Sequence, residues 1–201
     1  MLVTGIKSKP VYAPLRADTG GRYHLMLGFG PGGSALLRVL GEMQSAAPQA
    51  LKNTRVLIVP DAPQVVDRFA QIGLGNVNPF DDAAHLLDTF RTVLEESFMG
   101  TRLYVAGPES FIGLAMKIAL EFDLNKDEIR AEEVGTLARR VYCVHCRTTT
   151  GDVRTNIVRC SGCSRWLLVR DHYSRRLAAY MGVMVDAEAP GELPAIKEVY
   201  L

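Results

Sequence analysis

Hydrophobic positions fall into two kinds of run along the chain. Tyr23 to Gly28 is an unbroken apolar stretch, and Arg55 to Val59 is a second, closed by Pro60-Asp61-Ala62-Pro63. Thr101 to Ala106 is a third, ending in Gly107-Pro108-Glu109-Ser110. Short continuous runs bounded by Gly and Pro predict buried strands. Between them the period lengthens. Leu36, Leu37 and Leu40 share a helical face in Ala35–Met43, and Asp81–Phe98 turns Leu86, Leu87, Phe90, Val93 and Leu94 inward behind a cap at Asp81 or Asp82. Phe111–Phe122 reads as an amphipathic helix, Gln64–Gln71 as a weak one, and Ile129–Glu133 as an edge strand. Strand–helix alternation predicts an α/β fold with an open, mostly parallel sheet flanked by helices.

After residue 138 the pattern changes. Cys143, Cys146, Cys160 and Cys163 are all the cysteines of the chain, and they read C-x2-C-x13-C-x2-C. A Cys-x-x-Cys turn aims two thiolates at one ion, and two such turns close a tetrahedron. The second turn, Cys160-Ser161-Gly162-Cys163-Ser164, has the small residues that a tight knuckle needs. The thirteen residues between the pairs are expected to form a β-hairpin joining the knuckles. Four thiolates suit zinc and rubredoxin-like iron alike; zinc is the preferred ion, and iron stays open as the alternative. A thioredoxin-type dithiol needs one such pair on a βα unit rather than two facing pairs. Ser174–Tyr180 is expected to be a short helix, and Gly191–Leu201 a tail.

Composition adds less. Lys and Arg total 23 against 22 Asp and Glu, a net charge of +1, so a polyanionic partner is not indicated. A zinc-ribbon nucleic-acid binder is the least favoured reading, because such modules carry a strong basic excess. No apolar run approaches the ~20 residues of a membrane span and Met1–Pro10 has no signal-like core, so a cytoplasmic location with no membrane partner is expected. Basic residues nevertheless concentrate beyond Arg139. Arg165, Trp166, Arg170, Asp171, His172, Tyr173, Arg175 and Arg176 form a candidate protein interface of the residue types that dominate such contacts.

Gly28-Phe29-Gly30-Pro31-Gly32-Gly33-Ser34, between a strand and a helix, has the form of a phosphate-cradling turn. Gly107-Pro108-Glu109 closes another strand on the same expected sheet edge, where ligands of open α/β sheets bind. Residues 22–134 thereby resemble the nucleotide-binding domain of ferredoxin reductase-like proteins. Gly28, Gly30, Gly32, Gly33, Ser34, Gly107, Pro108 and Glu109 mark a degenerate cofactor site. Ser34-Ala35 replaces the family's usual Thr-Pro, and Ala106 stands where its cysteine is usual. Only some twenty residues precede the first strand, which leaves no room for the flavin barrel. The resemblance implies a scaffold copy of that domain.

A longer resemblance runs through Ile6–Tyr12, Ala138–Cys146 and Leu167–Val183. These stretches are similar to the small, A-type subunits of bacterial dimethylamine monooxygenases. That resemblance implies NADPH- and O2-dependent demethylation of dimethylamine to methylamine and formaldehyde by a heteromeric complex. It places haem, FMN and a 2Fe-2S cluster on partners: a haem-bearing catalytic subunit and a flavin/iron–sulfur reductase subunit. The expected organisation is an extended arm at 1–21, the α/β domain at 22–138, and the small four-cysteine, zinc-ribbon-like module with its tail at 139–201. The chain is expected to be an accessory subunit without a catalytic residue of its own; the alternative is an NAD(P)-binding fragment that passes electrons.

Overall fold

The structure, a computed structural model, describes residues 8–201. Its contacts gather into two units, Tyr12–Gly135 and Thr136–Leu201, with residues 8–11 belonging to the second. The first seven residues of the arm read at 1–21, including Ile6 and Lys7, lie outside the described residues.

In Tyr12–Gly135, five strands form one parallel sheet: β1 (Tyr23–Gly30), β2 (Thr54–Pro60), β3 (Val77–Pro79), β4 (Thr101–Gly107) and β5 (Ile129–Glu133), in the order β3-β2-β1-β4-β5. The crossovers carry α1 (Gly32–Ala46), α2 (Gln64–Gln71), α3 (Ala83–Glu95) and α4 (Glu109–Glu121). Successive strand residues point to opposite faces, and both faces are covered, which is why these strands read as continuous apolar runs. Met26, Val56, Ile58 and Tyr104 pack with Leu36 and Leu40 of α1 and Phe69 of α2. Leu25, Leu27, Leu57 and Leu103 pack with Leu86 and Phe90 of α3 and Ile112 of α4. Asp82 caps α3, its carboxylate accepting from the His85 N–H at 2.9 Å. That helix ends at Glu95, short of the expected Phe98.

Residues 12–21 have almost no regular structure, yet they are anchored at Leu15 and Asp18. Leu15 is buried among Met26, Leu36 and Tyr104. Its N–H donates to the Glu132 carboxylate, which also pairs with Arg38. Asp18 accepts from Arg102 at 3.1 Å and Arg130 at 3.0 Å.

The other unit holds β6 (Arg139–Cys143), β7 (Thr149–Val153), β8 (Ile157–Arg159), β9 (Trp166–Ser174) and β10 (Ala179–Met184), in the order β7-β6-β10-β9-β8. Two expectations are corrected here. The segment between the cysteine pairs does not form one hairpin: β7 pairs with β6 and β8 with β9, so each knuckle is the turn of its own hairpin. Nor is Ser174–Tyr180 a helix. It is the turn into β10, which pairs back on β9 with Tyr180 opposite Tyr173. The tail is tied to this unit, with N–H donation from Asn156 to Lys197 at 3.0 Å and from Val199 to Arg154 at 2.9 Å.

Candidate metal centre

The two Cys-x-x-Cys turns share one backbone design. The Arg147 N–H donates to the Cys143 carbonyl at 2.9 Å, and Ser164 does the same to Cys160 at 3.0 Å. Cys143 N–H donates to Thr148 and Cys160 N–H to Arg165, both at 2.9 Å. The residue after each second cysteine is left-handed, Arg147 at φ 65° and Ser164 at φ 60°. That reversal closes the turn and brings both sulfurs to its inner side.

The result is a compact sulfur cluster. All four Sγ atoms lie within 4.8 Å of one another. Cys143 and Cys163 Sγ are 3.8 Å apart, and Cys146 and Cys160 are 3.5 Å apart. A disulfide would need about 2.05 Å. A tetrahedral ion with metal–sulfur bonds of about 2.3 Å needs sulfur separations of about 3.8 Å. The residues present therefore fit a four-coordinate thiolate ion. The Gly162 N–H reaches the Cys160 sulfur at 3.4 Å. Gly162 is also sterically fixed: a Cβ there would stand 2.4 Å from Thr148 Oγ1 and 3.1 Å from Cys146 Sγ.

The thiols differ in acidity. Burial pushes Cys143 up to about 11. Donation from the Thr148 hydroxyl and N–H brings the exposed Cys146 down to about 6. The Arg165 backbone and side chain lower Cys163. An ion binding here displaces the remaining thiol protons. A site closed by four thiolates leaves no open coordination position and does structural rather than hydrolytic work.

The arginine-rich set divides. Arg165, His172, Arg175 and Arg176 are exposed, and Arg170 and Trp166 are half-buried. Tyr173 is corrected: it is 5% exposed and packs edge-to-face on Tyr180 at 5.0 Å, because β9 turns alternate side chains into the sheet's core. Asp171 pairs with Arg139 at 2.7 Å, not with its neighbour Arg170. The Arg139 guanidinium lies 3.9 Å from the Tyr180 ring centroid and 3.8 Å from that of Tyr200. Sequence reasoning missed this cluster, whose members lie far apart along the chain. His145, inside the first knuckle, is exposed, and its Nε2 accepts from the Met184 N–H at 3.3 Å, which ties that knuckle to β10.

The glycine turns meet in the other unit. β1 and β4 are neighbours, with Gly28 opposite Ala106, and the strand order reverses between them. Gly28 and Gly30 end β1, while Gly32, Gly33 and Ser34 open α1. A Cβ on Gly32 would stand 2.1 Å from the Ala106 carbonyl oxygen, so only glycine lets the helix start this close to β4. Gly107 ends β4, Pro108 caps α4, and Glu109, 4% exposed, is the first residue of that helix. No helix among the described residues is long and apolar enough to cross a membrane.

Known proteins match both units. Residues 4–129 match the family described as dimethylamine monooxygenase subunit DmmA-like, N-terminal domain, and residues 140–183 match the corresponding C-terminal domain. The delta subunit of a haem-dependent oxidative N-demethylase from Ectopseudomonas mendocina (strain ymp) is 35% identical over 111 residues, 55% of this chain and 63% of that protein. The match thus spans less than two thirds of that curated relative's length. Among solved structures, the ferredoxin reductase of carbazole 1,9a-dioxygenase in its FAD apo form aligns at a TM-score of 0.45 and 18% identity, over 59% of this chain and 34% of that one. The flavohem-like FAD/NAD binding domain of nitric oxide dioxygenase from Vibrio cholerae O1 biovar El Tor aligns at 0.42 and 16%, over 63% and 56%. With one family spanning the sheet unit and the cysteine unit alike, the chain belongs to the dimethylamine monooxygenase subunit DmmA-like family.

Proposed function

We propose that this chain is an accessory subunit of a cytoplasmic, haem-dependent oxidative N-demethylase, and that its two parts, near 22–138 and 139–201, serve as docking domains. The complex would consume dimethylamine, O2, NADPH and a proton, and release methylamine, formaldehyde, NADP+ and water. The haem sits on a catalytic partner, and the flavin and iron–sulfur cluster on a reductase partner. One zinc ion held by Cys143, Cys146, Cys160 and Cys163 rigidifies the surface that carries Arg165, Trp166, Arg170, His172, Arg175 and Arg176. The observation that carries this reading is the closed sulfur tetrahedron in a chain of this family, a site built for shape and not for turnover.

The test is metal analysis of the purified subunit combined with co-purification of its partners. About one zinc per chain, and loss of partners on Cys143→Ser, is the expected result. A Cys143→Ser chain that still assembles with full demethylase activity overturns it. Iron in place of zinc would colour the protein red and bleach with dithionite, because zinc is d10 and colourless.

The meeting of the Gly28–Ser34 and Gly107–Glu109 turns at the strand-order reversal favours a second reading, an NAD(P)-binding reductase fragment. Titration of the purified chain with NADPH separates the two. Binding tighter than about 1 μM supports the fragment.

A further inference from the structure

The large apolar side chains of the α/β unit are mostly inside, but the turn between α3 and β4 breaks that rule. Phe98 is 68% exposed and Met99 is 97% exposed. Beside them a cavity of about 290 Å3 opens at the N-terminal ends of β1, β2 and β4, the sheet edge opposite the glycine turns. Tyr23 and Phe98 contribute aromatic rings, 5.5 Å apart. Lys52 and Arg55 contribute two cations, and Glu96 the one carboxylate.

Three hydroxyls of its lining are already engaged, while the buried Nε2 of His24 has no hydrogen-bond partner. The hydroxyls of Thr54, Ser97 and Thr101 donate to the carbonyls of Ala50, Val93 and Phe98. The cations are not neutralised: among the described residues neither Lys52 nor Arg55 pairs with a carboxylate. Arg55 is steadied by Nε donation to Asn78 at 3.2 Å, which leaves its outer nitrogens for a ligand. The Arg22 guanidinium lies 5.5 Å from the Tyr23 ring centroid and adds positive charge at the rim.

Metabolite pockets enclose most of their ligand, which this open groove does not. An exposed aromatic and Met beside an unpaired Arg is instead the composition of a protein contact, and Lys52 adds a charge that steers an acidic partner. We propose that this groove docks an acidic segment of another subunit of the demethylase. A carboxylate of that segment sits between Lys52 and Arg55, and an adjoining apolar side chain rests on Phe98 and Met99. The inference rests on the accessory-subunit reading and is independent of the metal module.

The experiment measures the affinity of the full chain for the remaining subunits of the complex, at low and high salt. Lys52→Glu and Met99→Asp, combined, are expected to raise the Kd at least tenfold and to flatten its salt dependence, since a lost charge pair removes steering. Both side chains are exposed, and an unchanged thermal midpoint verifies folding. Met99→Asp alone, at a position 97% exposed, gives a second variant that leaves the packing intact. If the wild-type chain binds and both variants bind equally well, the groove is not the docking site and the subunit reading survives. If the wild-type chain binds no partner at all, the subunit reading itself fails and takes this inference with it. If inorganic phosphate raises the thermal midpoint of the wild-type chain and Lys52→Glu abolishes that rise while partner affinity is unchanged, the groove is a small-anion site and the proposal is overturned.

Discussion

The two units solve the problem of holding a shape in different ways. The α/β unit buries fifteen residues on one face of its sheet and fifteen on the other. Among the described residues the β unit has a core cluster of eight, two of them cysteines of the sulfur cluster. Backbone geometry separates them further. In the α/β unit the left-handed positions fall mainly on glycine, as at Gly30, Gly73, Gly100 and Gly135, with Asp123 the exception. In the β unit, beside Gly191, they fall on Arg147, Asp152, Ser164 and Ala178; for Arg, Ser and Ala that conformation costs roughly 1–2 kcal/mol each, and for Asp less. A thin core and strained turns make the β unit the one whose stability should depend on an ion at its four cysteines.

The largest expected effect follows from that contrast. Structural zinc supplies on the order of 10–16 kcal/mol in zinc-finger peptides, comparable with the whole stability of an ordinary domain. Chelation, or Cys160→Ser, should therefore unfold Thr136–Leu201 and leave the α/β sheet intact. Amide NMR dispersion or limited proteolysis checks it; survival of protection in β9 and β10 after chelation would remove the contrast.

Next comes a substitution aimed at the other unit. Gly32→Ala drives a methyl into the Ala106 carbonyl, a backbone atom that no side-chain rotation can relieve. The expected loss is ~3 kcal/mol, read as a lower denaturation midpoint of the α/β unit with metal content unchanged. Gly162→Ala is its counterpart in the β unit. Its methyl meets the Thr148 and Cys146 side chains, which can give, so the expected loss is about 1–2 kcal/mol. It should appear as metal affinity weakened about 10-fold or more, as for other residues that support ligands.

How much of this was legible in the sequence follows the same division. The parallel strands were readable because burial on both faces makes them unbroken apolar runs. β3 was not, because three residues ending in Pro79 carry no period. The sulfur cluster was readable from spacing alone, since ligand chemistry fixes it. The strands around it were not. β9 mixes Arg170, Asp171 and His172 into an alternating pattern, and Ser174–Tyr180 holds enough Leu and Ala to imitate a helix. The Arg139–Asp171–Tyr200 contacts depend on a tail brought back by the fold, which no local pattern announces.

A smaller effect concerns pH and the α/β unit alone. Burial lowers the pKa of His24 below 6.5, Asp18 opposes that shift, and Arg102 adds to it. Tyr104 is the other group facing the ring, its hydroxyl 3.5 Å from Nδ1. With the folded pKa below the unfolded one, the unfolded chain binds more protons as the pH drops through about 6.5. Stability of the sheet unit should be full above that value and decline below it. The lowered Asp18 contributes its stabilisation down to still lower pH, and this is lost only as the pH falls through its folded value, beneath the ordinary 3.8. Denaturation midpoints between about pH 7.5 and 5 check the His24 effect, and His24→Gln should flatten the slope.

The smallest expected effect tests whether strain in the β unit is real. Arg147 and Ser164 occupy equivalent left-handed positions, both are exposed, and the hydrogen bonds that close their turns come from the backbone. Arg159 Nε donates to the Ser164 carbonyl, a bond that a glycine keeps. Relief of roughly 1–2 kcal/mol of backbone strain is offset by the roughly 0.5–1 kcal/mol of extra entropy a glycine loses on folding. The net expectation is a gain of about 0.5–1 kcal/mol for Arg147→Gly or Ser164→Gly, seen as a higher thermal midpoint of the β unit with zinc bound. Ala178 should not follow them. It is left-handed too, but its methyl is fully buried, so Ala178→Gly gives up packing that cancels the relief. If all three variants stabilise alike, or none does, the left-handed turns are not what distinguishes the β unit, and its small core alone must carry the expectation that it unfolds on chelation.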